Sequence, residues 1–198
     1  LHYAPRPLVD QLTVERGIGS VTSGISTIGG TVKAELKSSE FTDTAAFRRH
    51  GEVFASARTA DEGLSYGGIV SLANEYTRFH VLGSVDQGDD RDFPEGTVRP
   101  TEYDRAVSGL GFGFRVAGDT YGVDFRHTDT GKSGNPSLPM DIQYMNTDQV
   151  ELRYATIWEE QPYRIQVNYN DVGHKMDNFT LRSAPDFNET MNPGPAFD

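Results

Sequence analysis

Apolar and polar residues alternate along most of the chain that follows residue 46. Seven segments have this period of two, which is typical of strands with one apolar and one polar face. They lie at about residues 47–58, 64–73, 77–86, 105–117, 121–126, 150–159 and 163–170. In the last of them, Ile165 and Val167 alternate with Gln166 and Asn168. The pattern predicts an all-β protein with about seven antiparallel strands.

The connections between these segments alternate in length. Tight turns are predicted at 74–76, 117–119 and 159–162, and long loops at 87–103, 131–146 and after 171. Short turns at one end of the strands and long loops at the other are typical of an outer-membrane β-barrel. The short connection at 59–63 is an exception, because it falls on the long-loop end.

Aromatic residues gather at the short-turn end of the predicted strands, namely Tyr76, Tyr121, Trp158 and Tyr163. A transmembrane barrel carries its interfacial girdle there, so we expect a transmembrane antiparallel β-barrel portion. Because seven strands leave two open edges and bacterial single-chain barrels use even numbers of strands, we expect the rest of a larger barrel to complete it. The alternative is a soluble β-rich binding module, which would be monodisperse without detergent.

Composition narrows the classes of function. The net charge of −11 argues against a nucleic-acid partner, and the lack of cysteine excludes thiolate metal sites within this sequence. No carboxylate pair, Ser/His/Asp set or phosphate-binding loop suggests catalysis, so we expect no enzymatic activity. The acidic run at 86–95 is interpreted as a solvated loop, with Ca²⁺ binding as the alternative. We expect His2, His50, His80 and His127 to be ordinary polar residues.

A glycine-rich stretch precedes the seven segments. Residues 12–36 hold a short strand, glycines at positions 17, 19, 24, 29 and 30, and a second alternating strand. Glycine permits positive φ and close backbone approach, so the stretch predicts a tightly packed β unit. Its ordered elements are Arg16-Gly17, Ser20, Gly24 and Ile28-Gly29-Gly30. Their order and spacing resemble the end of the plug domain of TonB-dependent outer-membrane receptors.

The resemblance implies a division of the chain and a function. Residues 1–40 would be the C-terminal part of a plug domain, and residues 41–198 the N-terminal part of a transmembrane β-barrel. The function would be energy-coupled import of a scarce ligand across the outer membrane of a Gram-negative bacterium. The implied partners are that membrane with its lipopolysaccharide, the TonB inner-membrane coupling complex, and the remainder of the plug and barrel. A passive porin or structural barrel is the alternative, but a simple porin has no plug-like segment before its first strand.

The sharpest candidate for metal chemistry lies at the end of the seventh segment. If that strand continues, His174 and Met176 lie two residues apart on its polar face. Met145 shares that face if the sixth strand extends back in register. Imidazole and thioether together suit copper, and thioether favours Cu(I). We expect no resident cofactor but a transported metal, copper being favoured over another metal or a metal chelate; a polar surface histidine beside a packed methionine is the alternative.

The resemblance extends to this region. Residues 138–142 (LPMDI) and 177–182 (DNFTLR) look like a branch of the TonB-dependent receptors that includes copper receptors. The copper receptors of that branch bind the metal through a histidine-x-methionine pair on the barrel and sulfur ligands on the plug. His174 and Met176 match the pair in type and spacing, whereas the plug ligands would precede Leu1.

The same family pairs plug charges with barrel-wall charges. The resemblance therefore makes Glu15-Arg16 a candidate for such a pair within the plug. The possible partners on the predicted strands are Arg48, Glu52, Arg58 and Arg126.

Overall fold

The computed structural model describes residues 8–18 and 28–182. In these ranges the strands are β1 (Val9–Ile18), β2 (Ile28–Leu36), β3 (Arg48–Ala57), β4 (Leu64–Ala73), β5 (Thr77–Gly88), β6 (Arg91–Phe93), β7 (Gly96–Val98), β8 (Tyr103–Val116), β9 (Asp119–Ser133), β10 (Asp141–Trp158) and β11 (Gln161–Asp177). Gly19, Ser20 and Gly24 of the glycine-rich stretch lie outside the described residues. Within those ranges, no helix has the length and apolarity needed to cross a membrane.

Seven strands form one antiparallel sheet, in the order β11-β10-β9-β8-β5-β4-β3. Each of them pairs with the next long strand along the chain, and the small β6–β7 hairpin lies between β5 and β8. The sheet is not closed, since β3 and β11 form its edges. The predictions of an all-β fold and of about seven antiparallel strands are confirmed, and the open sheet is that of a β-barrel portion.

One face of this sheet carries a continuous band of large apolar side chains. In the register of β8 to β11, Phe112, Val123, Leu152 and Val167 form one row across the four strands. The neighbouring rows are Leu110-Phe125-Val150-Tyr169 and Phe114-Tyr121-Tyr154-Ile165. We call these three rows the apolar band and their side of the sheet the outer face. A polar row, Ser108-His127-Asp148-Asp171, follows beyond Leu110 and limits the band at the loop end.

The strands extend further than hydrophobic alternation predicts. β9 continues to Ser133 and β10 begins at Asp141, so the loop expected at 131–146 is wrong and shrinks to 134–140. β11 likewise continues to Asp177, past the loop expected after 171, and β6–β7 forms inside the loop expected at 87–103. The reason is that the outer face beyond the polar row carries mostly small or polar residues, such as Asp129, Asn146 and Gly173, although the backbone ladder goes on.

Two tight turns at the opposite end are confirmed. Ala117 and Gly118 connect β8 to β9 with φ of 53° and 91°, and Glu159 and Glu160 connect β10 to β11 with φ of 50° and 64°. Paired positive φ values are typical of the two-residue turns that match the twist of a hairpin.

The β1–β2 hairpin is attached to the other face of the sheet, called here the inner face. At its base, the fully buried Leu8 packs in one cluster with Ile69, Leu82 and Val107 of the seven-stranded sheet, called here the wall. Leu36 packs against that cluster. Within the hairpin, Gly30 lies opposite Arg16 with a φ of 132°, and a Cβ at this position would overlap the carbonyl oxygen of Glu15. Only glycine fits this conformation and this approach.

Candidate functional site

Three candidate metal donors, two sulfur atoms and one imidazole, lie near the loop end of the last two strands. In the register of β10 with β11, Met145 lies directly opposite His174. Met176 is two residues further along β11, opposite Ile142, next to an irregularity in β10. His174 and Met176 have the parity of Asn168 and therefore belong to the inner face. The structure thus places the three predicted metal donors on adjacent strands at one rim of the sheet.

The three side chains differ in exposure. The Met145 side chain is buried, with 6% of the residue exposed, whereas Met176 is half-buried and His174 is exposed. A buried thioether on the strand opposite an accessible imidazole is a donor set that suits copper. Among the described residues, no group of three or more His, Cys, Asp and Glu side chains is placed to hold a metal ion.

An ion pair braces this rim. The Arg182 guanidinium donates to both carboxylate oxygens of Asp141, over 2.6 Å from Nε and 2.8 Å from the terminal nitrogen. It also donates to the backbone carbonyls of Asn135 at 2.9 Å and Leu138 at 2.8 Å. Asp141 is only 1% exposed, and its bond to Arg182 holds the pKa of the carboxyl below its ordinary value. Asp141 lies outside the apolar band, roughly 30 Å from Val150 at about 3.4 Å per strand residue.

A turn after β11 brings Arg182 to Asp141. One carboxylate oxygen of Asp177 accepts the backbone N–H groups of Phe179 at 3.3 Å and Thr180 at 3.0 Å. The other accepts the Thr180 hydroxyl at 2.7 Å and the amide of Gln143. An aspartate that captures the backbone two and three residues ahead reverses the chain. The turn thereby fixes the end of β11 to the start of β10, beside the 134–140 loop.

A second polar cluster lies deeper on the inner face, around His80 of β5. The backbone N–H and the hydroxyl of Ser39 lie 3.2 Å and 3.0 Å from its Nδ1. Its Nε2 lies 3.4 Å from a carboxylate oxygen of Asp124 on β9, which also pairs with Arg153 on β10. Because His80 is only 3% exposed and joins three parts of the chain, the expectation of an ordinary polar residue is wrong for it.

Glycine lets this cluster cross the intervening strand. Gly111 of β8 lies opposite both His80 and Asp124, and a Cβ at this position would overlap the His80 ring and the Asp124 carboxylate. At Gly113, a Cβ would come within 2.6 Å of the Arg78 guanidinium. The alternating glycines of β8 therefore leave room for long polar side chains from the two neighbouring strands to lie across it.

The segment after β2 is held to the wall by three kinds of contact. Lys37 pairs with Glu52 of β3, and the Arg78 guanidinium donates to the carbonyl of Ser39. The Phe41 ring lies beneath two guanidinium groups, 5.3 Å from Arg78 and 4.1 Å from Arg115. Cation–π contacts of this kind stabilise by about 0.5–2 kcal/mol, more when shielded from water.

Two of the four predicted partners of Glu15-Arg16 pair with other charges. Glu52 pairs with Lys37, and Arg58 donates to Asp61 at 3.3 Å and to Asp86 at 3.1 Å. The charge that does meet the seven-stranded sheet from the segment after β2 is that of Lys37.

The residues that sequence reasoning missed were partly visible in the family pattern. Residues 138–142 and 177–182 carry the resemblance as two separate segments, and the structure joins them through Asp141 and Arg182. Ser39 and Asp124 gave no such signal, because each lies far from His80 in the sequence.

Comparison with known proteins supports the architecture. The fold defines a β-barrel portion with a hairpin on its inner face. Among solved structures, the chain is similar to the copper transporter OprC, with a TM-score of 0.74 and 22% identity. The match covers 91% of this chain and 28% of that one, so the chain spans less than a third of OprC. No protein-family model and no curated protein matches the sequence.

Proposed function

We propose that the chain is the end of the plug and the first part of the barrel of a TonB-dependent transporter in the outer membrane of a Gram-negative bacterium. The transporter imports a scarce ligand, with copper as the favoured cargo and a metal chelate as the alternative. Its partners are the outer membrane with its lipopolysaccharide, the TonB coupling complex, and the remaining plug and barrel.

The membrane placement is supported by the two faces of the sheet. The apolar band is exposed, as with Leu152 and Val167, and it ends at aromatic residues beside the tight turns. Trp158 and Tyr163 lie there with ring centroids 6.0 Å apart. A lipid-facing band bounded by aromatics, opposite a polar inner face, is the pattern of an outer-membrane barrel.

The plug assignment is supported by the contacts of the β1–β2 hairpin. Its base and the segment after it pack on the inner face through Leu8, Lys37 and Ser39. A hairpin in that position obstructs a lumen, which favours gated import over the passive porin alternative.

The observation that carries the copper proposal is Met145 opposite His174, with Met176 next to them. Two or three donors on rigid strands are an incomplete ligand set, so plug residues would supply the others. The brace between Asp141 and Arg182 restricts the rim and thereby lowers the ordering cost of binding.

The test is the metal content of the natural full-length protein by mass spectrometry, with barrel assembly followed by heat-dependent gel mobility. His174→Ala with Met176→Ala should abolish bound copper and leave assembly intact, because neither side chain is fully buried and rim positions carry little folding free energy. Met145→Leu, which keeps the volume and removes the sulfur, should weaken copper retention to a smaller extent.

The matched control is His127→Ala with Met140→Ala. It removes the same two residue types, but His127 lies on the outer face and Met140 in the exposed loop. Unchanged copper stoichiometry in the His174/Met176 double variant would refute the site. Uptake of an iron chelate by a protein that never retains copper would favour the metal-chelate alternative.

A further inference from the structure

A groove opens on the outer face inside the apolar band. It has a volume of about 370 Å³ and is lined by residues of β8 to β11. In the row that crosses it, Val123 lies between the larger Phe112 and Leu152. The short valine side chain leaves a notch in an otherwise continuous row of bulky residues.

Aromatic rings form one wall of the groove. Tyr121 stacks on Phe114 with ring centroids 5.0 Å apart and planes 15° from parallel, and its centroid lies 5.1 Å from that of Tyr154. Tyr121 thus joins the other two rings, and aromatic pairs at these distances are favourable beyond their buried area. The groove is therefore preformed.

The groove has a charged end. The Asp119 carboxylate, beside the turn between β8 and β9, accepts the Thr156 hydroxyl at 2.6 Å. It also accepts the phenol hydroxyls of Tyr154 at 3.2 Å and Tyr121 at 3.4 Å, the tyrosines that line the groove. Over the described ranges, the salt bridges of the structure give Asp119 no basic partner. The Asp119 carboxylate, with three neutral donors, thus lies on the outer face next to the apolar groove.

We propose that this groove binds one acyl chain of a phospholipid with an ammonium headgroup, and that the ammonium pairs with Asp119. The inference rests on the membrane placement in the proposed function. The apolar lining fits a hydrocarbon chain, and the carboxylate at the polar end attracts a cationic group and repels an anionic headgroup. Because Asp119 lies beside a tight turn, the lipid belongs to the leaflet at the short-turn end.

The headgroup is tested by native mass spectrometry of the full-length protein, released from detergent with equal amounts of phosphatidylethanolamine and phosphatidylglycerol of identical acyl chains. The wild-type protein should retain phosphatidylethanolamine several-fold in excess. Asp119→Asn, which keeps the size of the side chain and one acceptor oxygen and removes the charge, should abolish this preference. Asp148→Asn, on the outer face at the loop end, should leave it unchanged. No preference in the wild type, or an unchanged preference in Asp119→Asn, would overturn the proposal.

The acyl chain is tested by filling the notch. Val123→Trp should lower retention of both lipids, whereas Val81→Trp, at an exposed outer position on β5, should not. Equal retention in the two tryptophan variants would contradict a specific groove. Copper content is measured on the same samples, so a wild-type protein that retains copper but shows no lipid preference isolates the failure of this inference. A protein that is monodisperse without detergent would instead refute the membrane placement.

Discussion

The two faces of β8 use one backbone in opposite ways. On the outer face, Leu110, Phe112 and Phe114 present large exposed side chains to the apolar band. On the inner face the alternating residues are glycines, over which Arg78 and His80 reach from β5. The outer face depends on the apolar surface of its large side chains. The inner face depends on the space that its glycines leave for side chains of the neighbouring strands.

This difference shows how one strand meets two environments. If the outer face contacts lipid, as proposed above, a side chain there has only to be apolar, so many residues can serve at the same position. On the inner face, the position of a neighbour's charge depends on an empty volume, so a single added carbon matters. Substitutions should therefore be sensitive to size inside and to polarity outside.

The largest effect is expected at Gly111. Gly111→Leu would push His80 away from Asp124, so that an overpacking cost of about 1–3 kcal/mol adds to a cost of about 1–3 kcal/mol for the lost buried polar contact. The measurement is the free energy of unfolding in urea, with gel mobility reporting the folded barrel. Gly111→Ala should shift it in the same direction, because its Cβ already meets the two side chains.

Gly83→Leu is the matched control for size. A Cβ at Gly83 would lie 3.5 Å from the carbonyl oxygen of Val107, an ordinary contact. If Gly83→Leu and Gly111→Leu were equally harmful, the role of empty volume on the inner face would be wrong.

A charge on the outer face should have the next largest effect. Val167→Arg places a cation within the apolar band and should destabilise the barrel by about 2–4 kcal/mol near the membrane midplane. Asn168→Arg, one residue further on the inner face, should be mild. The comparison is made by refolding into lipid vesicles, and equal effects at the two positions would disprove the assigned faces.

The smallest effect is expected at the rim. Arg182→Ala removes the guanidinium donor of the buried Asp141, which keeps only the backbone N–H of Asn135, and should loosen the 134–140 loop by about 1–3 kcal/mol. Hydrogen exchange of that loop is the measurement. Arg99→Ala, whose pair with Asp90 is highly exposed, should change almost nothing.

Acid sharpens the same prediction. Because the pKa of Asp141 is lowered in the folded protein, its contribution to stability is complete above its unfolded pKa of about 3.9 and disappears as the pH falls through the folded value. Loop protection should thus be constant from neutral pH to about pH 5 and fall below about pH 4. The difference between the wild type and Arg182→Ala should vanish at the acid end; a difference that persisted there would point to another cause.

Hydrophobic alternation predicts the strand bounds well where the outer face of the strand carries large apolar residues. β4 has the bounds that alternation predicts, and β3, β5 and β8 differ from them by one to two residues. The loop-end portions of β9, β10 and β11 escape prediction because their apolar residues, such as Tyr144 and Val172, are too few to alternate regularly with polar ones, although the strands continue to pair. Such segments are specified by their neighbours in the sheet.

Parity also predicts where His174, Met176 and Met145 lie, since a strand that continues in register fixes the face of every residue. Metal binding by these residues stays a prediction. The cluster of Ser39, His80 and Asp124 could not be found by parity alone, because its members come from a linker and two non-adjacent strands. Gly111 was visible in the sequence as part of an alternation, but its role depends on which side chains cross it.

The order of the strands also has a kinetic consequence. Every pair in the seven-stranded sheet joins long strands that follow one another in the chain. Most of these closures span only a tight turn or a short loop, so each step has a small entropic cost and the register of one hairpin guides the next. The sheet can therefore grow one strand at a time from either edge, and no long-range encounter has to occur before folding begins.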